Sequence, residues 1–151
     1  MRRIAGLALL AMVLAAAGCG GGDSEQSESR VVTVTGPHGK LAVKVPKGRP
    51  PKGLVIRDLR KGTGPAVRGP KDEIVVNYVN FEFSADHQLY DSWEQEGTSR
   101  FLLEETHPGW EIGLKGMREG GLRQLITPPR MEYGSATLVY VIEMVKVRHR
   151  S

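Results

Sequence analysis

The stretch PGWEIGLKGMREGG, Pro108 to Gly121, places one of the chain's two tryptophans, Trp110, among five glycines. Trp110, Leu114 and Met117 fall at i, i+4 and i+7, one face of a helix, and Gly113 on the same side lets the helix axis come close to its packing partner. The segments on either side read as strands. LVIRDL (54–59), EIVVNYVNFEF (73–83), FLL (101–103), LRQLI (122–126) and ATLVYVIEMVKV (136–147) are rich in β-branched and aromatic residues and separated by turn formers. Alternation puts Ile74, Val76 and Tyr78 on one side of their strand, and Ala136, Leu138, Tyr140, Ile142 and Met144 on one side of theirs, so each strand sends a tyrosine inward. In the first strand Phe81 and Phe83 take over the apolar parity after Val79, which predicts a bulge near Asn80. SWEQEGTS has weak helical character, but Gly97 argues for an irregular excursion there. One short helix across mainly antiparallel strands is an α+β architecture.

The 151 residues, 40% hydrophobic and 25% charged, fit one globular domain with appendages. The chain opens with two arginines, an unbroken apolar run from Ile4 to Ala17, and then small residues. That run spans 14 residues, short of the roughly 20 needed to cross a bilayer, and reads as an export signal. Its end, Ala16-Ala17-Gly18-Cys19, resembles a bacterial lipoprotein signal, in which the chain is cut before a cysteine whose sulfur carries lipid. Ala16 departs from the bulkier aliphatic usual at that place. Cys19 is the only cysteine, so an exported chain gains no internal disulfide from it, and lipidation explains its presence. The following GGGDSEQSES has nothing to bury and reads as a tether. VVTVT, LAVKV and the proline-rich PKGRPPKG then form an extended segment and hinge. The expected organisation is a signal peptide over 1–18, a flexible tether over 19–30, an extended segment over 31–51 and the compact domain over 52–148. Loss of Arg2 and Arg3 with the signal reduces 21 basic side chains to 19 against 17 acidic ones, a net of +2 in place of +4. That balance gives no argument for nucleic acid as a partner.

GWEIGLKGMREGG, ITPPRMEYG and ATLVYVIEM, preceded by NYVNFEFSADHQLYDS, together resemble an FKBP-type peptidyl-prolyl isomerase over about residues 52–148, in the family's order. The resemblance implies a half-open antiparallel β-sheet wrapped over the short helix, with a pocket floored by Trp110. It implies catalytic roles for Tyr78, Asp91, Trp110 and Tyr133, and substrate contacts from Tyr90, Phe101, Thr106, His107 and Tyr140. Tyr90 and Tyr140 stand where the family commonly has phenylalanine, and an added hydroxyl either finds a partner or costs about 1–3 kcal/mol in desolvation. Apart from the resemblance, Trp110 reads as core, Asp91 as a turn residue beside Ser92, and Tyr133 as a hydroxyl tied to backbone. The implied chemistry uses no metal and no cofactor, and the implied partners are proline-containing exported polypeptides. The expected protein is a monomer on the extracytoplasmic side of the cell membrane, anchored by lipid on Cys19.

Other chemistries find little support. His38, His87, His107 and His149 lack the close pairing of a metal site, and no serine sits in a G-x-S-x-G elbow. GLKGMREGG lacks the G-K-[ST] ending of a phosphate loop, and adjacent Glu104 and Glu105 point to opposite sides of an extended segment. The basic tail KVRHRS reads as a solvated end. Two departures from the family pattern bear on function. Thr106-His107 replaces an aliphatic pair whose backbone amide binds the substrate carbonyl, and Tyr133-Gly134 runs at once through Ser135 into the last strand where the family has a long closing loop. The alternative to an isomerase is therefore a lipid-anchored polypeptide-binding module of the same fold with little or no catalysis.

Overall fold

A computed structural model of the chain describes residues 29–36, 39–85, 88–95 and 97–150. The expected export signal, Cys19 and nearly all of the tether lie outside the described residues, as do His38 and His87. Two strands, β1 (Ser29–Gly36) and β2 (Gly39–Pro46), form an antiparallel hairpin. The main sheet is antiparallel throughout. It runs β3 (Val55–Arg60), β7 (Leu122–Thr127), β8 (Leu138–Arg148), β4 (Glu73–Glu82) and β5 (Gln88–Asp91), and β6 (Ser99–Leu102) pairs with the first half of β4. The five strands read from the sequence are present with slightly shifted ends, and β5 is an addition to them. SWEQEGTS forms turns over Ser92–Gln95, with Gly97 at φ 81°.

One short helix, α1 (Pro108–Gly113), lies against this sheet. Pro108 is at home in the first turn, where its missing N–H leaves no bond unmade. The helix stops sooner than the apolar spacing suggests. The Leu114 N–H closes onto the Trp110 carbonyl at 2.8 Å, and Gly116 turns the chain with φ 76°. Trp110, Leu114 and Met117 nevertheless all reach the core, the last two through the turn. A Cβ on Gly109 would sit 2.5 Å from Thr127 Cγ2, and one on Gly113 would sit 2.7 Å from Leu125 Cδ1. The helix thus rests on β7 at a distance that side chains at these two positions would prevent. Buried Arg123 of β7 closes the helix end, donating from Nη1 to the Gly113 carbonyl at 2.8 Å while its Nε pairs with Asp58 at 2.7 Å.

The sheet is apolar on both faces. Ile74, Val76, Leu125, Tyr140, Ile142 and Met144 pack with the helix side chains on one face. Val79, Phe81, Phe83, Leu122, Ile126, Val139 and Val141 form a second core on the other, closed by Val43 and Val45 of β2, both fully buried. This corrects two expectations. The register of β4 against β5 does shift between Asn80 and Phe81, but the two phenylalanines face away from the helix because a second core lies there, not because the bulge swings them round. The expected boundary at residue 52 also leaves out β2, which belongs to the packed unit. Gln124 Nε2 fastens the hairpin by donating to the Lys44 carbonyl at 3.0 Å.

The tail is pinned and not a free solvated end. Arg148 and Arg150 bond the two oxygens of buried Glu73 at 2.9 and 2.5 Å, and His149 meets buried Asp72 at 2.9 Å. No helix among the described residues is long and apolar enough to cross a membrane.

Because β2 seals the second core, Val45→Ala is expected to lower stability by about 1–3 kcal/mol. Val31→Ala on β1, where the side chain is 57% exposed, is expected to change it by under about 0.5 kcal/mol. Equal urea midpoints for the two variants would contradict the second core.

Candidate active site

Between the sheet and the start of α1 lies an open cleft of about 200 Å³. Its floor is the Trp110 indole, 4% exposed and ringed by other aromatics. Tyr78, on β4, stands edge-on to the indole at 5.0 Å between ring centroids, Phe101 of β6 at 5.5 Å and Tyr140 of β8 at 5.5 Å. His107, the residue before the helix, adds a fourth ring at 5.6 Å. Near-perpendicular ring contacts at this spacing fix the indole in place at the base of the cleft. The pleat explains the convergence: Tyr78 and Tyr140 are inward-facing positions of adjacent strands, and the helix is pressed onto the same face.

Seven of the nine residues expected at the site line this cleft: Tyr78, Phe101, Thr106, His107, Trp110, Tyr133 and Tyr140. Tyr90 stands behind it, stacked on the Tyr78 ring at 4.8 Å. Asp91 does not reach the cleft. Its Oδ1 accepts from the Trp93 N–H at 2.8 Å and its Oδ2 from Gln88 Nε2 at 3.0 Å, so each oxygen is tied into the turn after β5. Tyr133 lies on the rim, 82% exposed, and its hydroxyl donates to the Thr106 carbonyl at 3.2 Å. The Thr106 N–H is taken by the Leu103 carbonyl at 3.1 Å, whereas the His107 N–H makes no hydrogen bond among the described residues.

Three further residues belong to the site. Asn80 and Glu105 line the cleft, and Glu132 stands behind its wall. Glu132 gathers the polar groups there: Thr127 Oγ1 donates to its Oε1, the Tyr140 hydroxyl donates to its Oε2 at 3.1 Å, and His107 Nε2 lies 3.5 Å from that same oxygen. The hydroxyl that Tyr140 adds to an aromatic wall therefore has a partner. No spacing rule singles out Glu132, because it lies in an irregular stretch and acquires its role from the fold. Trp110 Nε1 and Asn80 Oδ1 are buried without a hydrogen-bond partner among the described residues. Among the described residues no cluster of acids, histidines or cysteines is arranged to hold a metal.

Burial opposes charge on both members of the His107–Glu132 pair. It pulls His107 down to about 4, against which the Nδ1–H bond to the Met131 carbonyl at 3.1 Å has little effect. Burial likewise pushes Glu132 above its ordinary range, although the bonds from Thr127 and Tyr140 favour the ionised form. The signs differ. For His107 the unfolded chain takes up a proton near pH 6.5 while the fold resists until about pH 4, so its contribution to stability is lost as pH falls through that interval. For Glu132 the fold binds the proton first, so its contribution is present at low pH and lost as pH rises through the elevated value. The urea midpoint of the native chain is accordingly expected to fall more between pH 7 and pH 5 than that of His107→Leu. Parallel curves for the two proteins would contradict the buried neutral imidazole.

Comparison with known proteins agrees with this geometry. Residues 65–145 match the family FKBP-type peptidyl-prolyl cis-trans isomerase. The chain is 36% identical over 115 residues to a probable FK506-binding protein of Corynebacterium glutamicum, an alignment covering 70% of this chain and 97% of that protein. It is 32% identical over 121 residues to an FK506-binding protein of Streptomyces anulatus, covering 72% and 97% respectively. The crystal structure of FkpA from Escherichia coli shares the fold, with a TM-score of 0.59 at 24% identity over 83% of this chain and 53% of that one. With an antiparallel sheet closed over a short helix, and a tryptophan-floored aromatic cleft between them, the chain belongs to the FKBP-type peptidyl-prolyl cis-trans isomerases.

Proposed function

We propose that this isomerase acts on proline-containing exported polypeptides at the cell envelope, held to the membrane by lipid on Cys19. The observation that carries the catalytic part is the box of rings around the Trp110 indole, which suits the compact, apolar ring of proline. Rotation about an Xaa–Pro bond faces a barrier of roughly 18–20 kcal/mol that comes from amide resonance. Twisting the bond removes the resonance. A cleft that grips the prolyl ring on Trp110, shields the amide from water and fits the twisted form better than the planar one lowers the barrier by differential binding. The unpartnered His107 N–H is the available backbone donor for a substrate carbonyl, and Tyr133 supplies a second donor once it exchanges Thr106 for substrate.

Among the described residues the cleft lacks a cover on the side of the shortened loop. Six residues, 132–137, join the 3-10 turn Pro129–Met131 to β8, and Tyr133 stands exposed among them. Short peptides thus lose apolar contacts in ground and transition states alike, which raises KM more than it lowers kcat. This same exposure, with Asp91 turned away from the cleft, supports the alternative of a binding module with little catalysis. The export reading is supported by the signal-like sequence ending in Cys19 and by the tether, whose reach concentrates the domain where exported chains emerge.

Slow turnover of prolyl tetrapeptides is expected, with relatively better acceleration of a proline-limited protein refolding reaction. Trp110→Leu is expected to abolish both, its folding being checked by circular dichroism. Acceleration of neither by the native chain would leave the binding module as the reading. For the anchor, Cys19→Ser is expected to release the protein from the membrane fraction and to remove a lipid mass from the intact protein. Unchanged fractionation together with an unmodified native mass would overturn the anchor.

A further inference from the structure

The cleft is aromatic at its floor and acidic at its mouth. Glu105, the last residue of the 3-10 turn Leu103–Glu105, is exposed and lines the cleft. Its carboxylate makes no hydrogen bond or ion pair among the described residues, and the same is true of neighbouring Glu104. Among the described residues the lining contains no lysine and no arginine, and its one imidazole, His107, is kept neutral by burial. The chain as a whole carries more basic than acidic side chains, 21 against 17, so this local excess of negative charge runs against its composition.

Tyr133 is the second observation. Its ring is the most exposed large apolar surface on the chain's described part at 82%, and its hydroxyl is tied to the carbonyl of Thr106, the residue next to Glu105. A free carboxylate and an open aromatic face are therefore held on one stretch of rim. Few side chains satisfy both. A lysine or arginine does, because its aliphatic stem and cationic head pack on a tyrosine ring while the head reaches a carboxylate. An aliphatic side chain uses only the ring, and an acidic one is repelled. With the loop shortened, no apolar cover among the described residues competes for that space.

We infer that Glu105 and Tyr133 make the cleft select prolines flanked by a basic residue, so that the substrates are basic Xaa–Pro or Pro–Xaa segments. This rests on the isomerase reading for its catalytic consequence but not for the binding preference. Glu105 is a specificity-determining residue here and takes no part in the bond rotation. Because it is solvent-exposed, the expected selectivity is modest, a few-fold, and depends on salt.

The test uses peptides that differ only in lysine, leucine or glutamate on either side of the proline. The native chain is titrated with each for Kd by tryptophan fluorescence and assayed for kcat/KM. The expected order is lysine, leucine, glutamate, with lysine favoured over glutamate by roughly 3–5-fold at low ionic strength and less at about 0.5 M salt. Glu105→Gln is expected to bring that ratio below about twofold, and Glu105→Lys to invert it. Tyr133→Ser is expected to weaken the lysine peptide more than the glutamate peptide. Lysine and glutamate peptides within twofold of each other in the native chain, or a ratio unmoved by Glu105→Gln, would overturn the inference. Absence of turnover with the Kd order preserved would instead count against the isomerase reading alone.

Discussion

The structure depends on how closely one short helix can lie against one strand. Gly109 and Gly113 face Thr127 and Leu125 of β7 at distances that leave no room for a Cβ. That approach sets the depth of Trp110, which comes from the turn between the two glycines and must lie level with the inward rings of β4 and β8 to form a floor. Were the helix pushed outward by a side chain, the edge-to-face contacts near 5 Å would open and the indole would sit in the cleft mouth. The helix is too short to be stable alone, so its position is a property of this contact and of the Arg123 side chain that closes its end.

A sheet that serves as one wall of a binding cleft has to be rigid, and here rigidity comes from packing on both faces. The ring-bearing face covers the helix, and the opposite face is sealed by the β1–β2 hairpin through Val43 and Val45. Strand β8 is buried almost from Val139 to Met144, and its partners β4 and β7 leave no edge free there. The pinned tail, with Arg148 and Arg150 on Glu73, ties the end of β8 to the start of β4.

Much of this was legible in the sequence because it follows from periodicity. The spacing of Trp110, Leu114 and Met117 located the buried face of the helix, although the helix itself ends at Gly113 and the other two contacts are made through a turn. Alternation placed Tyr78 and Tyr140 on the inner face correctly, since each strand has a regular pleat there. What was not legible required knowledge of what lies opposite. Phe81 and Phe83 look like a parity slip until the hairpin supplies a second core. Strand β5 is four residues long and shows too little alternation to stand out. Asp91 carries the same letter whether it faces a pocket or a turn, and only the bonds from Trp93 and Gln88 decide. Glu105 and Glu132 each adjoin a residue expected at the site, Thr106 and Tyr133, but no period fixes which way they face, so their contacts emerge only from the tertiary fold.

The central claim is that a prolyl ring sits on the Trp110 indole while its amide bond rotates. Two-dimensional NMR of an Xaa–Pro peptide with a small amount of the chain tests it directly, through cis–trans exchange peaks and through transferred nuclear Overhauser contacts from the ring protons. The account predicts enhanced exchange with contacts from the prolyl ring to the indole of Trp110. Contacts that fall on other residues, or that reach Trp110 with no enhancement of exchange, would contradict it.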